Sequence, residues 1–502
     1  MTACFHGVSM ATVAINFSQA TIDALAAQRA SAPAAPTLGK AIDQVIQAGY
    51  SFSANHYFYS DILLATPESW LTYPDGGYQY FYGMTKTGAT SGAITATMLE
   101  DYAPDAYRLV YEGQLKFSYT TNADNGVVLT NEGGAVTRVT LESRLAPDDA
   151  KYDKVFGNTT TVLSGTLSSD NAVQFNSTIN AINLSADNVL ASAKIAGTIN
   201  ASGNTADVGL GTSSAMLSGT VTSLQQTYTD GSTFTFSGTV AATSAMALDE
   251  RLLSDSTYFS GNDTISVTMP ATLPTAYAVN SGDGNDRITI TGGGSMLSAN
   301  GGNGDDTFVL GDHGHTVTGG AGMDSAIFSG ARASYAVAAS TTVTGTSTVA
   351  AIGGATDTLS GIERIQFDNA YVALDIAGNA GEVFRLYQAA FNRVPDLGGL
   401  GYWIKQVDNG LALQTMARYF TESAEFQALY GANPANDALV TSFYHNALHR
   451  DPDAGGFAYW LDVLNRKLVS TSDMLGFFSD SAENQAAVLP AILTGIAYTP
   501  YN

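Results

Sequence analysis

Glycine and aspartate recur at close spacing in residues 301–324, GGNGDDTFVLGDHGHTVTGGAGMD. Glycine permits sharp backbone turns and positive φ angles, which can bring several carbonyl oxygens toward one point. Aspartate adds a carboxylate, and oxygen-only ligation is what a hard cation such as Ca²⁺ prefers. The stretch has few large apolar side chains, so packing alone does not account for its folding. The residue types therefore predict a segment that is closed by divalent cations.

The stretch fits a nine-residue template, G-G-x-G-x-D-x-U-x, in which U is a large apolar residue. Three copies start at positions 281, 301 and 319, so successive copies are separated by about two template lengths. This is the spacing expected when each coil of a roll uses two nonapeptides and similar loops stack on one side. Residues 301–309 fit the template completely, residues 319–327 have the small Ala326 at U, and residues 281–289 have Ser281 at the first position. A fourth, worn copy lies at 260–266.

We expect one ion between consecutive loops on the same side, so three loops make two sites. Asp286 and Asp306 would supply carboxylates to the first site, and Asp306 and Asp324 to the second. The intervening half-coils lack the aspartate, so the opposite side should bind no metal, and the worn copy adds at best a poor third site. Backbone carbonyls complete the shells. The predicted metal-site residues are Gly282, Asp283, Gly284, Asp286, Gly301, Gly302, Asn303, Gly304, Asp306, Gly319, Gly320, Gly322 and Asp324.

These spaced nonapeptides resemble the calcium-binding RTX (repeats-in-toxin) β-roll of bacterial exported proteins. The resemblance implies a parallel β-roll, Ca²⁺ as the cofactor, and export by type I secretion with an uncleaved C-terminal signal. It also implies an extracellular location in a Gram-negative bacterium. Residues 356–375, TDTLSGIERIQFDNAYVALD, are similar to the β cap that often follows such rolls. The alternative interpretation of the stretch is a flexible linker.

The composition of the chain argues against two classes of binding partner. The chain has 45 acidic and 21 basic residues and a net charge of −24, so it should repel nucleic acid and anionic membranes, and neither is expected as a partner. No window approaches 18 uninterrupted apolar residues, so we expect no membrane span. The single cysteine, Cys4, excludes an intrachain disulfide, and residues 1–20 lack the pattern of a cleaved secretory signal.

The first half of the chain is predicted to be β-rich. Residues 1–50 are mostly helical in pattern, with a linker-like break at 30–39, and residues 50–82 are dense in aromatics. Those aromatics favour a core with tyrosine-rich strands, while a face that stacks on sugars or a flat cofactor is the alternative. From about residue 107, strand-like runs separated by DNG and NEGG predict an antiparallel meander.

A short glycine theme recurs in residues 156–248, a region with very few charged residues. The intervals between its glycines are unequal and become shorter along the chain, so the theme is not a strict solenoid repeat. It suggests stacked strands in a β-sandwich or an irregular β-helix. The four glycines are Gly165, Gly197, Gly219 and Gly238.

Residues 380–490 change to helical periodicity and contain an internal duplication. FNRVPDLGGLGYW at 391–403 matches LHRDPDAGGFAYW at 448–460. The shared pattern resembles a bacterial domain family of unknown function, number 4214, often found beside RTX repeats. The residues of this pattern are expected to have structural roles. The side chains expected to cap helix N-termini are those of Asp396, Asp453, Ser423 and Ser481.

Enzyme motifs are absent from the sequence, which has no G-x-S-x-G, no P-loop and no H-E-x-x-H. His313 and His315 are expected on the metal-free side of the roll rather than as a metal pair. Histidines on a C-terminal helix have chelating spacing but are expected to lie at its surface or in packing, and haem ligation by His56 has no second ligand in view. The helix histidines are His445 and His449.

The sequence therefore predicts a multidomain, mainly β protein, with a calcium-binding parallel β-roll and an all-α C-terminal domain built from a duplicated helical unit. Its function is expected to be that of a secreted, non-enzymatic calcium-binding surface or matrix protein. The alternative is a carbohydrate-binding or polysaccharide-degrading exoprotein acting through residues 1–250, with extracellular polysaccharide or a cell-surface component as its partner. The predicted domains are 1–106 (mixed α/β), 107–250 (Ser/Thr-rich β), 251–330 (β-roll), 331–378 (β cap), 379–490 (helical) and 491–502 (tail).

Overall fold

The structure is a computed structural model in which the chain divides into two compact units, residues 1–282 and residues 283–502. No described helix is both long enough and apolar enough to cross a membrane. The structure describes residues 10–31, 37–43, 45, 57–58, 69–72, 78–88, 91–103, 107–121, 127–143, 159–167, 174–186, 189–204, 216–311 and 314–501.

Antiparallel strands make up most of the first unit. Its described elements are β1 (Thr12–Asn16), α1 (Gln19–Ser31), β2 (Tyr57–Phe58), β3 (Ser69–Thr72), β4 (Tyr78–Tyr82), β5 (Thr85–Lys86), β6 (Ser91–Ala103), β7 (Tyr107–Thr121), β8 (Val127–Ser143), β9 (Thr159–Leu167), β10 (Gln174–Ala186), β11 (Leu190–Asn204), β12 (Met216–Tyr228), β13 (Thr233–Ala241), β14 (Thr264–Thr268) and β15 (Tyr277–Asn280). Strands β6 to β13 pair in chain order, each antiparallel to the next. The predicted meander is confirmed, and it begins at Ser91 rather than near residue 107.

The strand β1 lies between two partners that come much later in the chain. It pairs antiparallel with β13 and parallel with β14, so that Val13 is opposite both Phe236 and Ile265. Val13 and Ile15 are buried while their neighbours in β1 are exposed, which is the alternation of a strand with one face in the core. The N-terminal region therefore contains this strand in addition to the expected helix α1.

A row of β-bulges crosses the meander. In each of four strand pairs, two residues of the second strand stand opposite one residue of the first, and the first of the two is a glycine. A Cβ on Gly165 or Gly197 would collide with a carbonyl oxygen of the adjacent strand. The bulged pairs and the residues they face are Gly113-Gln114 and Thr97, Gly165-Thr166 and Thr137, Gly197-Thr198 and Asn180, and Gly238-Thr239 and Thr222.

These bulges explain most of the recurring glycine theme and correct the expectation built on it. A β-helix requires parallel pairing between coils, whereas every successive pair from β9 to β13 is antiparallel. These described strands continue one meander, so they do not divide into the two facing sheets of a sandwich. The glycines recur because they mark the bulges at which neighbouring long strands bend. Their recurrence therefore does not indicate a solenoid repeat.

Parallel strands open the second unit. Its strands are β16 (Arg287–Thr291), β17 (Leu297–Asn303), β18 (Thr307–Leu310), β19 (Thr316–Ala321), β20 (Ser325–Phe328), β21 (Tyr335–Ala338), β22 (Thr346–Ala351), β23 (Thr356–Ser360), β24 (Arg364–Phe367), β25 (Ala370–Ala373) and β26 (Ile496–Tyr498). Alternate strands form two parallel ladders, β16–β18–β20–β24 and β17–β19–β23. In the first ladder Ile288, Phe308 and Ala326 are in register and fully buried. They form a narrow apolar core.

Antiparallel strands follow these ladders. The strands β21, β22 and β23 pair with one another in order, and so do β24, β25 and β26. The last of them belongs to residues 491–502, which were predicted only as a tail. Tyr371 pairs with Tyr498, so this last strand is held by β25.

Helices occupy residues 379–492. They are α2 (Asn379–Phe391), α3 (Leu397–Asp408), α4 (Leu413–Thr421), α5 (Ala424–Tyr430), α6 (Asn436–Leu448), α7 (Ala454–Asn465), α8 (Thr471–Ser479) and α9 (Ala482–Ile492). All four predicted N-caps are confirmed, because each side chain accepts a hydrogen bond from a backbone N–H in the first turn. The β-rich first part and the helical C-terminal region both agree with the sequence analysis.

Candidate metal site

Three aspartates stand in a row along one edge of the parallel ladder. Asp286, Asp306 and Asp324 each precede a strand, and the strands pair so that Thr307 is opposite both Arg287 and Ser325. The backbone N–H of Asp286 donates to Oδ1 of Asp306 at 2.8 Å, and that of Asp306 donates to Oδ1 of Asp324 at 2.8 Å. The structure thus brings together the three carboxylates that the nonapeptide spacing singled out.

Burial makes these carboxylates unusual. Asp286, Asp306 and Asp324 are 2%, 1% and 0% exposed. Oδ2 of Asp306 and Oδ2 of Asp324 have no hydrogen-bond partner among the described residues. Burial raises the pKa of Asp306 to about 7 and that of Asp324 to about 7. A buried carboxylate oxygen without a partner is costly when charged, and a bound cation removes that cost.

The glycines of the loops have two different roles. Those at the second and fourth template positions have positive φ, for example 107° at Gly302 and 124° at Gly304, as the turn requires. The glycine at the first position provides space, because a Cβ on Gly301 would collide with Oδ2 of Asp306 and crowd the carbonyl oxygen of Gly319. The other loop glycines with positive φ are Gly282, Gly284, Gly320 and Gly322.

A second set of contacts joins successive loops at their exposed side. The backbone N–H of Asp305 donates to Oδ1 of Asn285 at 2.9 Å, and that of Met323 donates to Oδ1 of Asp305 at 2.8 Å. Nδ2 of Asn303 donates to Oδ1 of Asp283 at 2.7 Å. The sequence analysis did not assign a role to Asn285 or Asp305, although the fifth template position holds a side chain with an acceptor oxygen in both loops.

The donor set fits a hard cation. Across the described ranges, histidine, cysteine and carboxylate side chains do not form any group of three or more suited to a metal ion. Ligation here would therefore rely on backbone carbonyls with two carboxylates per site, as the template predicts. The orphaned oxygens of Asp306 and Asp324, each beside the first glycine of its own loop, are compatible with this arrangement.

The histidines lie in other surroundings. His315 is fully buried, its Nδ1 is 3.2 Å from the carbonyl oxygen of Gly294, and its backbone N–H donates to Asp357 at 2.9 Å. His445 contacts Asp451 at 2.7 Å, and His449 ends the helix α6 with a φ of 55°. Both helix histidines are exposed, as expected for positions at the helix surface. His313 and His56 lie outside the described residues.

Glu363 is a member of the row that the sequence analysis missed. The backbone N–H of Asp324 donates to Oε2 of Glu363 at 2.9 Å, which continues the ladder of the three aspartates. Burial raises the pKa of the Glu363 carboxyl above its ordinary value. Glu363 lies far beyond Asp324 in the sequence and does not belong to a nonapeptide, so no local pattern indicates it.

Comparison with known proteins gives a family match for one region of the chain, the C-terminal helices. Curated proteins give no match to this chain. The family described as Domain of unknown function (DUF4214) matches residues 367–429 and again residues 417–488, and no family match supports the glycine- and aspartate-rich stretch. The C-terminal helical region is therefore similar to this family, as its sequence pattern predicted.

Proposed function

We propose that this chain is a calcium-binding protein of the bacterial surface or extracellular matrix, in which the glycine- and aspartate-rich stretch is an RTX-like β-roll that folds on Ca²⁺ after type I secretion. The observation that carries the proposal is the row of Asp286, Asp306 and Asp324, with orphaned, buried oxygens on the last two. The parallel pairing of every second strand supports the same architecture.

The mechanism is coupled folding. When calcium is scarce, the charged aspartates repel one another and resist burial, so the coils stay open and the chain remains exportable. Bound Ca²⁺ would neutralise this charge, while the positive-φ turns at Gly302 and Gly304 hold the surrounding carbonyls in place. The other acidic residues of a chain with net charge −24 favour cations near its surface.

The expected energy is modest. With a Kd of about 10⁻⁴ M, typical of extracellular modules, each site adds roughly 1.4 kcal/mol at 1 mM calcium. Two sites add about 3 kcal/mol, which is enough to switch a marginal roll but not to fold the whole chain. The antiparallel meander and the helical region must therefore be largely stable without the ion.

The helical region is proposed to be a duplicated unit. Arg393 donates to Glu425 at 2.7 Å, and Arg450 donates to Glu483 at 2.6 Å, so equivalent positions of the two matching segments form the same ion pair. Two successive matches to one family over this region favour the same conclusion. Capping and packing account for the shared motif, so the duplication adds no chemistry to the proposed function.

Calcium titration of the full chain tests the proposal, with isothermal calorimetry for binding and urea unfolding for stability. The wild type is expected to bind calcium with a Kd of about 10⁻⁴ M and to gain stability. Asp306→Asn should weaken both proposed sites, since Asp306 faces each of them. Asp368→Asn is the matched control, because Asp368 also accepts a backbone N–H, from Gly330 at 2.9 Å, outside the row. A wild type that binds no calcium at millimolar concentration would refute the proposal.

A carbohydrate-binding function for the first unit is the second candidate. On one face of the paired strands β4 and β6, Tyr78 stacks on Tyr102 at 4.9 Å, and Tyr80 lies 4.3 Å from Tyr82. All four side chains are partly exposed, and such rings can stack on sugars. A glycan array and a reducing-sugar assay test binding and cleavage. Loss of glycan binding in Tyr102→Ala would favour this candidate, while the absence of binding by the wild type would exclude it.

A further inference from the structure

We propose an additional site for a hard divalent cation at the C-terminal end of the row, formed by Asp324 with Gly361 and Glu363 of the cap segment, residues 356–375. The inference rests on the proposed calcium-binding roll and extends it beyond the nonapeptides. It predicts one more ion than the nonapeptide loops account for. The proposal rests on the equivalence between the cap segment and a glycine loop in strand register, in hydrogen bonding and in the position of a glycine.

The strand register places Glu363 where a fourth aspartate would stand. Ser325 pairs with Arg364 in the ladder, just as Thr307 pairs with Ser325, so the residue before Arg364 corresponds to Asp324. The hydrogen bond from the Asp324 backbone N–H to Glu363 is 2.9 Å, and its counterpart from Asp306 to Asp324 is 2.8 Å. Glu363 thus makes the contact that Asp306 and Asp324 each make with the preceding loop.

Gly361 occupies the place of a loop glycine. In the other ladder Thr318 pairs with Ser360, which brings Gly361 beside Gly319. A Cβ on Gly319 would collide with both the Gly361 carbonyl oxygen and Oδ2 of Asp324. In the preceding coil, the Gly319 carbonyl oxygen and Oδ2 of Asp306 lie in the same way beside Gly301. The two coils therefore present a carbonyl and an aspartate oxygen in equivalent positions.

The aspartate of this site is the orphaned group that needs a ligand. Asp324 is fully buried, and its Oδ2 has no hydrogen-bond partner among the described residues, although both it and the Gly361 carbonyl lie beside Gly319. Two oxygens that face the same space, one of them an unpartnered carboxylate oxygen, are a natural arrangement for a cation. This observation is independent of the presence of acidic residues in the row.

The cap segment differs from a true loop in length. Gly319 precedes Asp324 by five positions, whereas Gly361 precedes Glu363 by two, so fewer carbonyls are available on the cap side. The extra methylene of glutamate extends the carboxylate from this shorter loop. A pocket of about 230 Å³ adjoins the segment, and Met323, Gly361 and Glu363 are among the residues that line it.

The neighbouring arginine is engaged by other carboxylates. Arg364 contacts Asp375 and Asp408 at 2.5 Å each, and its hydrogen bond to Glu363 goes to the backbone carbonyl, at 2.9 Å. Asp375 also accepts the backbone N–H of Ala380 at 3.1 Å. Asp375 is thus paired with an arginine, which leaves Glu363 and Asp324 as the carboxylates of the proposed site.

Calcium stoichiometry in the full chain tests this site, by equilibrium dialysis and calorimetry. Glu363→Gln keeps an acceptor for the Asp324 N–H but removes the charge, so it should bind one ion fewer or bind one ion at least about tenfold more weakly. Glu382→Gln, a partly buried glutamate of α2, is the matched control and should bind as the wild type does. Unchanged number and affinity in Glu363→Gln would overturn the inference while leaving the roll proposal intact.

Two further outcomes are informative. If Glu363→Gln fails to fold, Glu363→Asp decides, because it retains the charge but is one methylene too short to reach. Weakening of one site supports the inference, and wild-type binding overturns it. A wild-type chain that binds no calcium would overturn both this inference and the proposed function.

Discussion

The carboxylates of Glu100 and Asp306 are both buried, at 5% and 1% exposure, but their partners differ. Arg108 donates to Glu100 at 2.7 Å and holds the pKa of Glu100 below its ordinary value, with help from Tyr78. Asp306 accepts a backbone N–H from Asp286, but burial dominates and raises its pKa to about 7. A cation beside Asp306 would do for that carboxylate what Arg108 does for Glu100.

The ion pair of the meander gives a prediction with a pH dependence. Arg108→Met should destabilise the protein by about 2 kcal/mol at pH 7, because it leaves Glu100 charged and buried. Urea unfolding measures the loss. Since the pKa of Glu100 is lowered in the wild type, the stabilisation is complete above the ordinary glutamate pKa and is lost as the pH falls through the lowered value. The deficit of the variant should therefore shrink on acidification.

A more exposed ion pair, between β7 and β8, is the control for that measurement. Arg138 and Glu112 are 52% and 39% exposed at a distance of 3.4 Å, so Arg138→Met should cost less than about 0.5 kcal/mol. Equal losses in Arg108→Met and Arg138→Met would contradict the assigned difference between the pairs.

The first glycine of a loop gives a second prediction at this scale. Gly319→Ala should destabilise the chain by about 2 kcal/mol and weaken calcium binding, because its Cβ would collide with the Gly361 carbonyl and the Asp324 carboxylate. Gly398 of α3 is the control, since only Asp396 Oδ1 lies near, at 3.8 Å. Gly398→Ala should be neutral or stabilising by up to about 1 kcal/mol. Unfolding in urea with and without calcium distinguishes them, and tolerance of Gly319→Ala would argue against the crowded geometry.

At the scale of elements, the bulge row explains how long strands remain compatible across the meander. Each bulge places a glycine and its successor opposite a single polar residue, and two of these polar residues also bond to the strand on their other side. Thr137 donates to the Glu112 carbonyl at 3.3 Å, and Thr222 donates to the Ala196 carbonyl at 3.2 Å. Both acceptors immediately precede a bulge glycine, so the bulges are bonded features of the sheet.

The bulge row predicts that substitution by alanine destabilises the protein at a bulge glycine but not at an exposed position of the same sheet. Gly197→Ala should cost about 2 kcal/mol, because its Cβ would collide with the Thr220 carbonyl oxygen. Ser218→Ala, at an exposed position of β12, should change stability by less than about 0.5 kcal/mol. Thermal unfolding of both variants is the measurement. A tolerated alanine at 197 would show that the bulge is not required.

At the scale of the whole molecule, calcium should affect the two units unequally. Hydrogen exchange of the full chain with millimolar calcium, against the same chain with chelator, is the measurement. Peptides from residues 301–328 should gain protection, because the proposed ions would close these coils, while peptides from residues 91–241 should exchange alike in both conditions. Uniform protection along the chain, or none, would contradict a local role for the ion.

Parts of the fold and the candidate site could be predicted because their signals are local. The aspartate row follows from the regular spacing of the nonapeptides, and the N-cap of Asp396 follows from a motif within one turn. Strands separated by turn residues likewise predicted the meander. In each case the residues that form the contact repeat at short range or lie next to each other in sequence.

The sequence by itself determined the aspartate spacing, the turn-forming glycines, the helix caps and the helical duplication pattern, because short-range geometry constrains those residues directly. Only the tertiary structure decided that β1 lies between β13 and β14, that β26 joins β25, and that Glu363 extends the row. These outcomes depend on pairing between segments that are distant in the sequence, and the register is set by the packing of whole faces. The bulge row was likewise decided only by the tertiary structure. Its glycines are unevenly spaced in the sequence, and they align only when the strands are paired.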